Sequence, residues 1–123
     1  MLTGRAARYA KLGQVECGFR VVDGQLTGLV ERWRHGVATL GPKEIKFVST
    51  VGGVRFLKRR PIRLVVEHVD RSEQRQATGW EIIAANPDAR MVRVKTSTAM
   101  LEWAILADRV PWAIEQVTGG PVA

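Results

Sequence analysis

Short apolar–polar alternations, each closed by turn residues, leave this chain little to build with except short β-strands. Val15, Cys17, Phe19 and Val21 alternate with Glu16, Gly18 and Arg20. That period of two puts one face of a strand in a core and the other in water. Asp23-Gly24 follows as a hairpin signal. Leu29–Leu40 reads as a second strand with Trp33 and Val37 toward the core, and Gly41-Pro42 breaks it. Ile45–Ser49 and Val54–Leu57 read as strands on either side of Gly52-Gly53. Ile62–Val69 alternates again, with Ile62, Leu64 and Val66 on one face. The polar stretch Asp70–Thr78 predicts a loop, and apolar Trp80–Ala84 precedes the turn Asn86-Pro87-Asp88. Met91–Lys95 and Leu101–Leu106 read as the last two strands.

The end of the chain changes period. Asp108 is placed to cap a helix that has Pro111 in its first turn. Val110, Ile114 and Val117 recur on one helical face, and Gly119-Gly120-Pro121 stops the helix. The expected fold is therefore mainly β. About seven antiparallel strands form a curved sheet or small barrel, and one C-terminal helix caps an open end. The expected boundaries are a basic N-terminal tail over 1–13, a single domain over 14–118 and a short tail over 119–123.

A chain of 123 residues makes one domain and buries a core without covalent staples. Cys17 is the only cysteine, which excludes an intramolecular disulfide and a cysteine-based zinc site within one chain. No run approaches the roughly 18 apolar residues of a membrane span. The start, Met1–Gln14, carries Arg5, Arg8 and Lys11 with no apolar run behind them, unlike a signal peptide. Were a hydrophobic segment to precede it, this basic start would be the cytoplasmic flank of a membrane helix.

Charge is concentrated in one quarter of the length. Arg32, Arg34, Lys43, Lys46, Arg55, Lys58, Arg59, Arg60 and Arg63 face a single acid, Glu44, a local net of +8 in a chain whose total is +7. Such crowding favours an anionic partner. Like charges this close repel unless solvated or matched by an anion, which makes Lys58-Arg59-Arg60 with Arg63 the leading candidate site. Near an anionic bilayer each base contributes roughly 1 kcal/mol. The same cluster suits nucleic-acid phosphates.

Catalytic patterns are missing. There is no Gly-x-Ser-x-Gly elbow, no Walker or Gly-x-Gly-x-x-Gly loop, and the carboxylates are scattered. His35 and His68 are the only imidazoles, and neither has a second histidine at ligand spacing. His68 with Asp70 falls short of the usual metal donor set and reads as a surface residue. His35 reads as a turn or edge position, and Cys17 as buried and inert. Trp33, Trp80, Trp103 and Trp112 could stack nucleobases, but each lies among apolar neighbours and is expected in the core. Phe47 and Phe56 are expected on the buried face of a sheet whose other face is cationic.

The order of seven strands and a closing helix is similar to the pleckstrin-homology-like architecture. Val15-Glu16-Cys17, the stretch Trp33-Arg34-His35-Gly36-Val37-Ala38, Met91-Val92-Arg93-Val94 and Leu101-Glu102-Trp103-Ala104-Ile105 resemble a bacterial, actinobacterial family called domain of unknown function 2550. The likeness spans roughly Val15 to Val117, and its most specific part is the six residues from Trp33. It implies a module tethered by an N-terminal membrane helix, which this sequence does not contain. The loop where pleckstrin domains usually hold phosphoinositides, here Asp23–Gly28, has one acid and no base.

These readings lead to a non-enzymatic module at the cytoplasmic face of a membrane. It is expected to engage anionic lipid head groups or an acidic protein partner through Arg55, Lys58, Arg59, Arg60 and Arg63, with Arg32, Arg34, Lys43 and Lys46 as a second tier. No cofactor, metal or catalytic residue is expected. The alternative is a small nucleic-acid-binding barrel, which would need exposed aromatic rings among the bases.

Overall fold

The structure is a computed structural model and describes residues 12–51, 54–55, 61–76 and 89–119. The strands are β1 (Gln14–Gly24), β2 (Arg34–Gly41), β3 (Glu44–Val51), β4 (Val54–Arg55), β5 (Ile62–Gln76), β6 (Ala89–Thr96) and β7 (Ala99–Leu106). A 3-10 turn at Ala107–Arg109 leads into the helix α1 (Val110–Thr118). Six strands close a ring in which β1 pairs with β2, β2 with β3, β3 with β5, β5 with β6, β6 with β7, and β7 with β1. Every pairing is antiparallel. β4 lies outside the ring and is two residues long; among the described residues it pairs with Thr50 and Val51. The expected mainly-β architecture with a terminal helix is thus observed, with six strands in the closed sheet instead of seven.

Alternation decides what fills the ring. The inward set includes Phe19, Ile45, Phe47, Leu64, Val92, Val94, Leu101, Trp103 and Ile105, each 0–1% exposed. Phe19 stacks on Trp103 with centroids 5.6 Å apart and planes 7° from parallel, and Phe47 meets Phe19 edge-on at 5.0 Å. These are the offset and T-shaped geometries that aromatic quadrupoles favour. Cys17 sits in the same core, and burial pushes its thiol up to about 12, against a weaker opposing pull from the Trp103 side chain and the Ala38 backbone. Reaction with a thiol reagent at pH 8 should therefore be slower on the folded protein than in urea by on the order of a thousandfold. Comparable labelling rates in the two conditions would show that the core is open to solvent.

Both ends of the ring are closed by apolar side chains. At one end Val110, Ala113, Ile114 and Val117 of α1 join the core. The amide of Lys43, in the β2–β3 turn, donates to the Val117 carbonyl at 2.6 Å. Gly119 ends the helix in the left-handed conformation (φ 98°) and donates its amide to the Glu115 carbonyl, the usual glycine stop. At the other end, the β1–β2 connector folds back so that the Leu29 amide reaches the Leu26 carbonyl at 3.1 Å. Leu29 is buried there and Leu26 packs beside it.

Three expectations are corrected. Leu29–Trp33 belongs to the connector and β2 starts at Arg34, because the Leu26–Leu29 turn spends the first apolar residues on sealing the ring. Asp70–Gln76 is strand and not loop: Gln74, Arg75 and Gln76 pair with Val92, Met91 and Arg90 after a register shift. A polar run without Gly or Pro can still supply ladder hydrogen bonds. Asp108 does not cap the helix; it is an exposed residue inside the 3-10 turn, and Arg109 takes the cap position with no side-chain bond.

Candidate functional site

The period of two that builds β2 also sorts the motif at its start. Ala38 and Leu40 face the core, so Gly36 and Arg34 share their side of the strand, while His35, Val37 and Thr39 take the other. At Gly36 a Cβ would lie 2.0 Å from the Val48 carbonyl oxygen, so β2 and β3 approach too closely there for any side chain. Arg34 lies just past that point, where the packed core ends. Its parity carries it to the rim of an open cleft of about 1780 Å³ at the connector end of the ring. Arg32 and Arg63 line the same cleft, as do Glu31, Val30, Val65 and the β6–β7 turn residues Thr96, Ser97 and Thr98. That turn is braced: the Thr96 hydroxyl donates to the Ala99 carbonyl at 3.2 Å and accepts from the amides of Thr98 and Ala99.

The fold brings together only some of the candidate bases. Arg32, Arg34 and Arg63 share the cleft. Lys46 stands directly opposite Arg63 across the β3–β5 ladder. Glu44 serves both, at 3.2 Å from Arg63 Nη2 and 3.9 Å from Lys46 Nζ. These pairs are exposed and worth about 0–1 kcal/mol each, so an incoming anion can compete with Glu44 for Arg63. Lys43 is elsewhere. It occupies the turn at the helix end with a left-handed backbone (φ 57°). The eight residues of β2 separate that turn from Arg34 by roughly 23 Å. Of Arg55 the backbone is placed, paired with Thr50 at the end of β3. Lys58, Arg59 and Arg60 lie outside the described residues.

Among the described residues no exposed aromatic ring accompanies these bases. Phe47 and Trp103 are buried, and Trp112 is half-buried beneath the Arg109 guanidinium at 4.2 Å. Trp33, expected in the core, is half-buried on the outer wall of the ring. Phe56 and Trp80 lie outside the described residues. The cleft offers aliphatic surface instead: Val30 is 44% and Val65 55% exposed, and neighbouring Val22 is 39% exposed. Alternation already sets Val65 on the face opposite Leu64 and Val66, but Val30 lies in the connector outside any strand, and only the fold brings the two to one cleft.

A second polar group was also missed. Arg20 and Glu102 are cross-strand partners on the outer wall, joined by a bond of 2.8 Å from Nε and a shorter one from Nη2. Glu102 is 2% exposed. The stretch Val15–Val21 carried the signal, since an arginine on the outward parity of a strand needs an acid opposite once that wall is covered. His35, expected at a turn or edge, lies within β2 opposite Gly18. Burial lowers its pKa below the usual 6.5. A depressed imidazole keeps its full stabilising contribution above pH 6.5. That contribution is lost as the pH falls from 6.5 toward the folded value, because only the unfolded chain takes up the proton. Urea melts between pH 7.5 and 5.5 should show falling stability, with part of the slope absent in His35→Gln; an unchanged slope in the variant would refute this.

Among the described residues no three His, Cys, Asp or Glu side chains gather as a metal site, and His68 is exposed. Among the same residues no helix is long and apolar enough to cross a membrane. Comparison with known protein-family models, with curated proteins and with solved structures finds no match.

Proposed function

We propose that this chain is a non-enzymatic binding module that works at the cytoplasmic face of a membrane and engages anionic lipid head groups through the connector end of its barrel. The observation that carries this reading is the makeup of the cleft: Arg32, Arg34 and Arg63 stand among exposed Val30 and Val65. Bases beside solvent-facing aliphatic side chains suit a bilayer interface, where charge meets head groups and methyl groups meet the acyl boundary. Arg55, Lys58, Arg59 and Arg60 join the proposed surface on the strength of the sequence, and Lys46 flanks it. Lys43 is left out because it sits at the far end of β2. An acidic protein partner is the second source of the same negative charge. Binding of single-stranded nucleic acid has less support, because it relies on stacking rings and no described aromatic residue is exposed. We also propose, from the residues Trp33 to Ala38, that the chain is related to the family called domain of unknown function 2550.

Co-sedimentation with vesicles of neutral lipid alone, and with anionic lipid added, tests the reading across a salt series. Salt-sensitive binding to the anionic vesicles only, resistant to short DNA and RNA competitors, is the expected result. Binding to nucleic acid but not to vesicles would overturn it.

A further inference from the structure

The outer wall behind the cleft is built as a seat. Gly18 of β1 and Ala104 of β7 are partners, and Met91 of β6 pairs with Ala104. With Ala89, Met91 and Ala104 form a small apolar patch on the outside of the ring. His35 lies against Gly18, where even a Cβ would stand 3.2 Å from its Nδ1. Trp33 packs on Ala89, Met91 and Ala104, a small apolar cluster separate from the main core. The Arg20 guanidinium, held by Glu102, stands 5.5 Å from the centre of the Trp33 ring. Trp33 and His35 thus face the wall, while Arg32 and Arg34 alternate with them and line the cleft.

We infer that Trp33 and His35 are positioning residues that pin the end of the β1–β2 connector to the outer wall, so that Arg32 and Arg34 are held at the cleft before a ligand arrives. The inference rests on the proposed function for its binding consequence, though the pinning itself is a property of the free protein. Without the anchor, the connector from Gln25 to Trp33 keeps the Leu26 and Leu29 contacts but loses its last attachment before β2. Arg32 and the end of the connector must then be ordered on binding, while Arg34 keeps its ladder pairing with Phe19 and loses only the support of the residue before it. Immobilising a long side chain and the backbone that carries it weakens affinity by about tenfold.

The test uses Trp33→Ala and Trp33→Phe in the full chain, alone and combined with Arg32→Gln/Arg34→Gln. The readouts are binding to vesicles containing phosphatidylserine, and hydrogen exchange of the connector amides. Trp33→Ala should weaken binding about tenfold and speed exchange over Leu26–Trp33, with Trp33→Phe close to the parent in both. In the Arg32→Gln/Arg34→Gln background, Trp33→Ala should still speed exchange but cost no further affinity, which a merely destabilised fold would not reproduce. An equal loss of affinity in both backgrounds would overturn the positioning role. Unchanged exchange in Trp33→Ala would overturn the pinning, whatever the vesicles do. If the parent chain binds no vesicles while exchange responds as expected, the failure lies with the proposed ligand and the seat stands.

Discussion

Neutralising Arg32, Arg34 and Arg63 together, each to Gln, is expected to weaken binding to anionic vesicles by on the order of 100-fold, from roughly 1 kcal/mol per base near the surface. The three share one cleft, so their losses fall on the same bound state. Removing three charges should also flatten the dependence on salt. Lys43→Gln is the matched control, for Lys43 belongs to the same basic stretch but occupies the turn tied to α1. Its substitution should leave vesicle binding unchanged. Equal effects from Lys43→Gln and from any single cleft arginine would mean that net charge, and not the cleft, drives attachment. Substituting Lys58, Arg59 and Arg60 in the same assay measures the share of the run that sequence alone nominates. Circular dichroism on each variant should show no loss of fold, because Arg32, Arg34 and Arg63 are exposed.

Trp103→Ala should be the most damaging change to the fold, costing about 3–5 kcal/mol, which is comparable with the whole stability of many domains of this size at 5–15 kcal/mol. Trp103 has no exposed surface and lies parallel to Phe19, which in turn meets Phe47. Those three rings come from β7, β1 and β3, so one truncation leaves a void reached from three strands. Urea denaturation checks the figure. Trp103→Phe keeps a ring over Phe19 and should lose less. A loss below about 1 kcal/mol for Trp103→Ala would mean that the ring collapses around the missing indole.

The strands and the helix were legible because their signals are local. Val15, Cys17, Phe19 and Val21 alternate within one strand, and Val110, Ile114 and Val117 repeat within one helix. Register and closure were not legible, because they depend on pairs far apart in the chain, such as Arg20 with Glu102 and Lys46 with Arg63. The basic stretch was visible as composition, yet β2 sends Arg34 to one end of the ring and Lys43 to the other. Charge along a sequence becomes charge on a surface only through the length of the strand between. Trp33 and His35 looked like core and turn residues. They became wall residues because Ala89, Met91 and Ala104 give Trp33 an apolar patch and Gly18 leaves His35 room against β1, an arrangement on three strands that no single segment advertises.

Closing the ring through β1 and β7 carries a cost in time. The rungs of that ladder join residues about 80 positions apart, as Arg20 and Glu102 do, and contacts of such separation slow folding. On the ribosome β1, β2 and β3 can meander together early, but β1 waits for its second neighbour until nearly all the described strands have been made. Until then Phe19 has no Trp103 to stack on, and one side of β1 is an unpaired template for any passing strand. The nascent half-barrel, with that edge open, is consequently the form of this chain most prone to aggregate until β7 arrives.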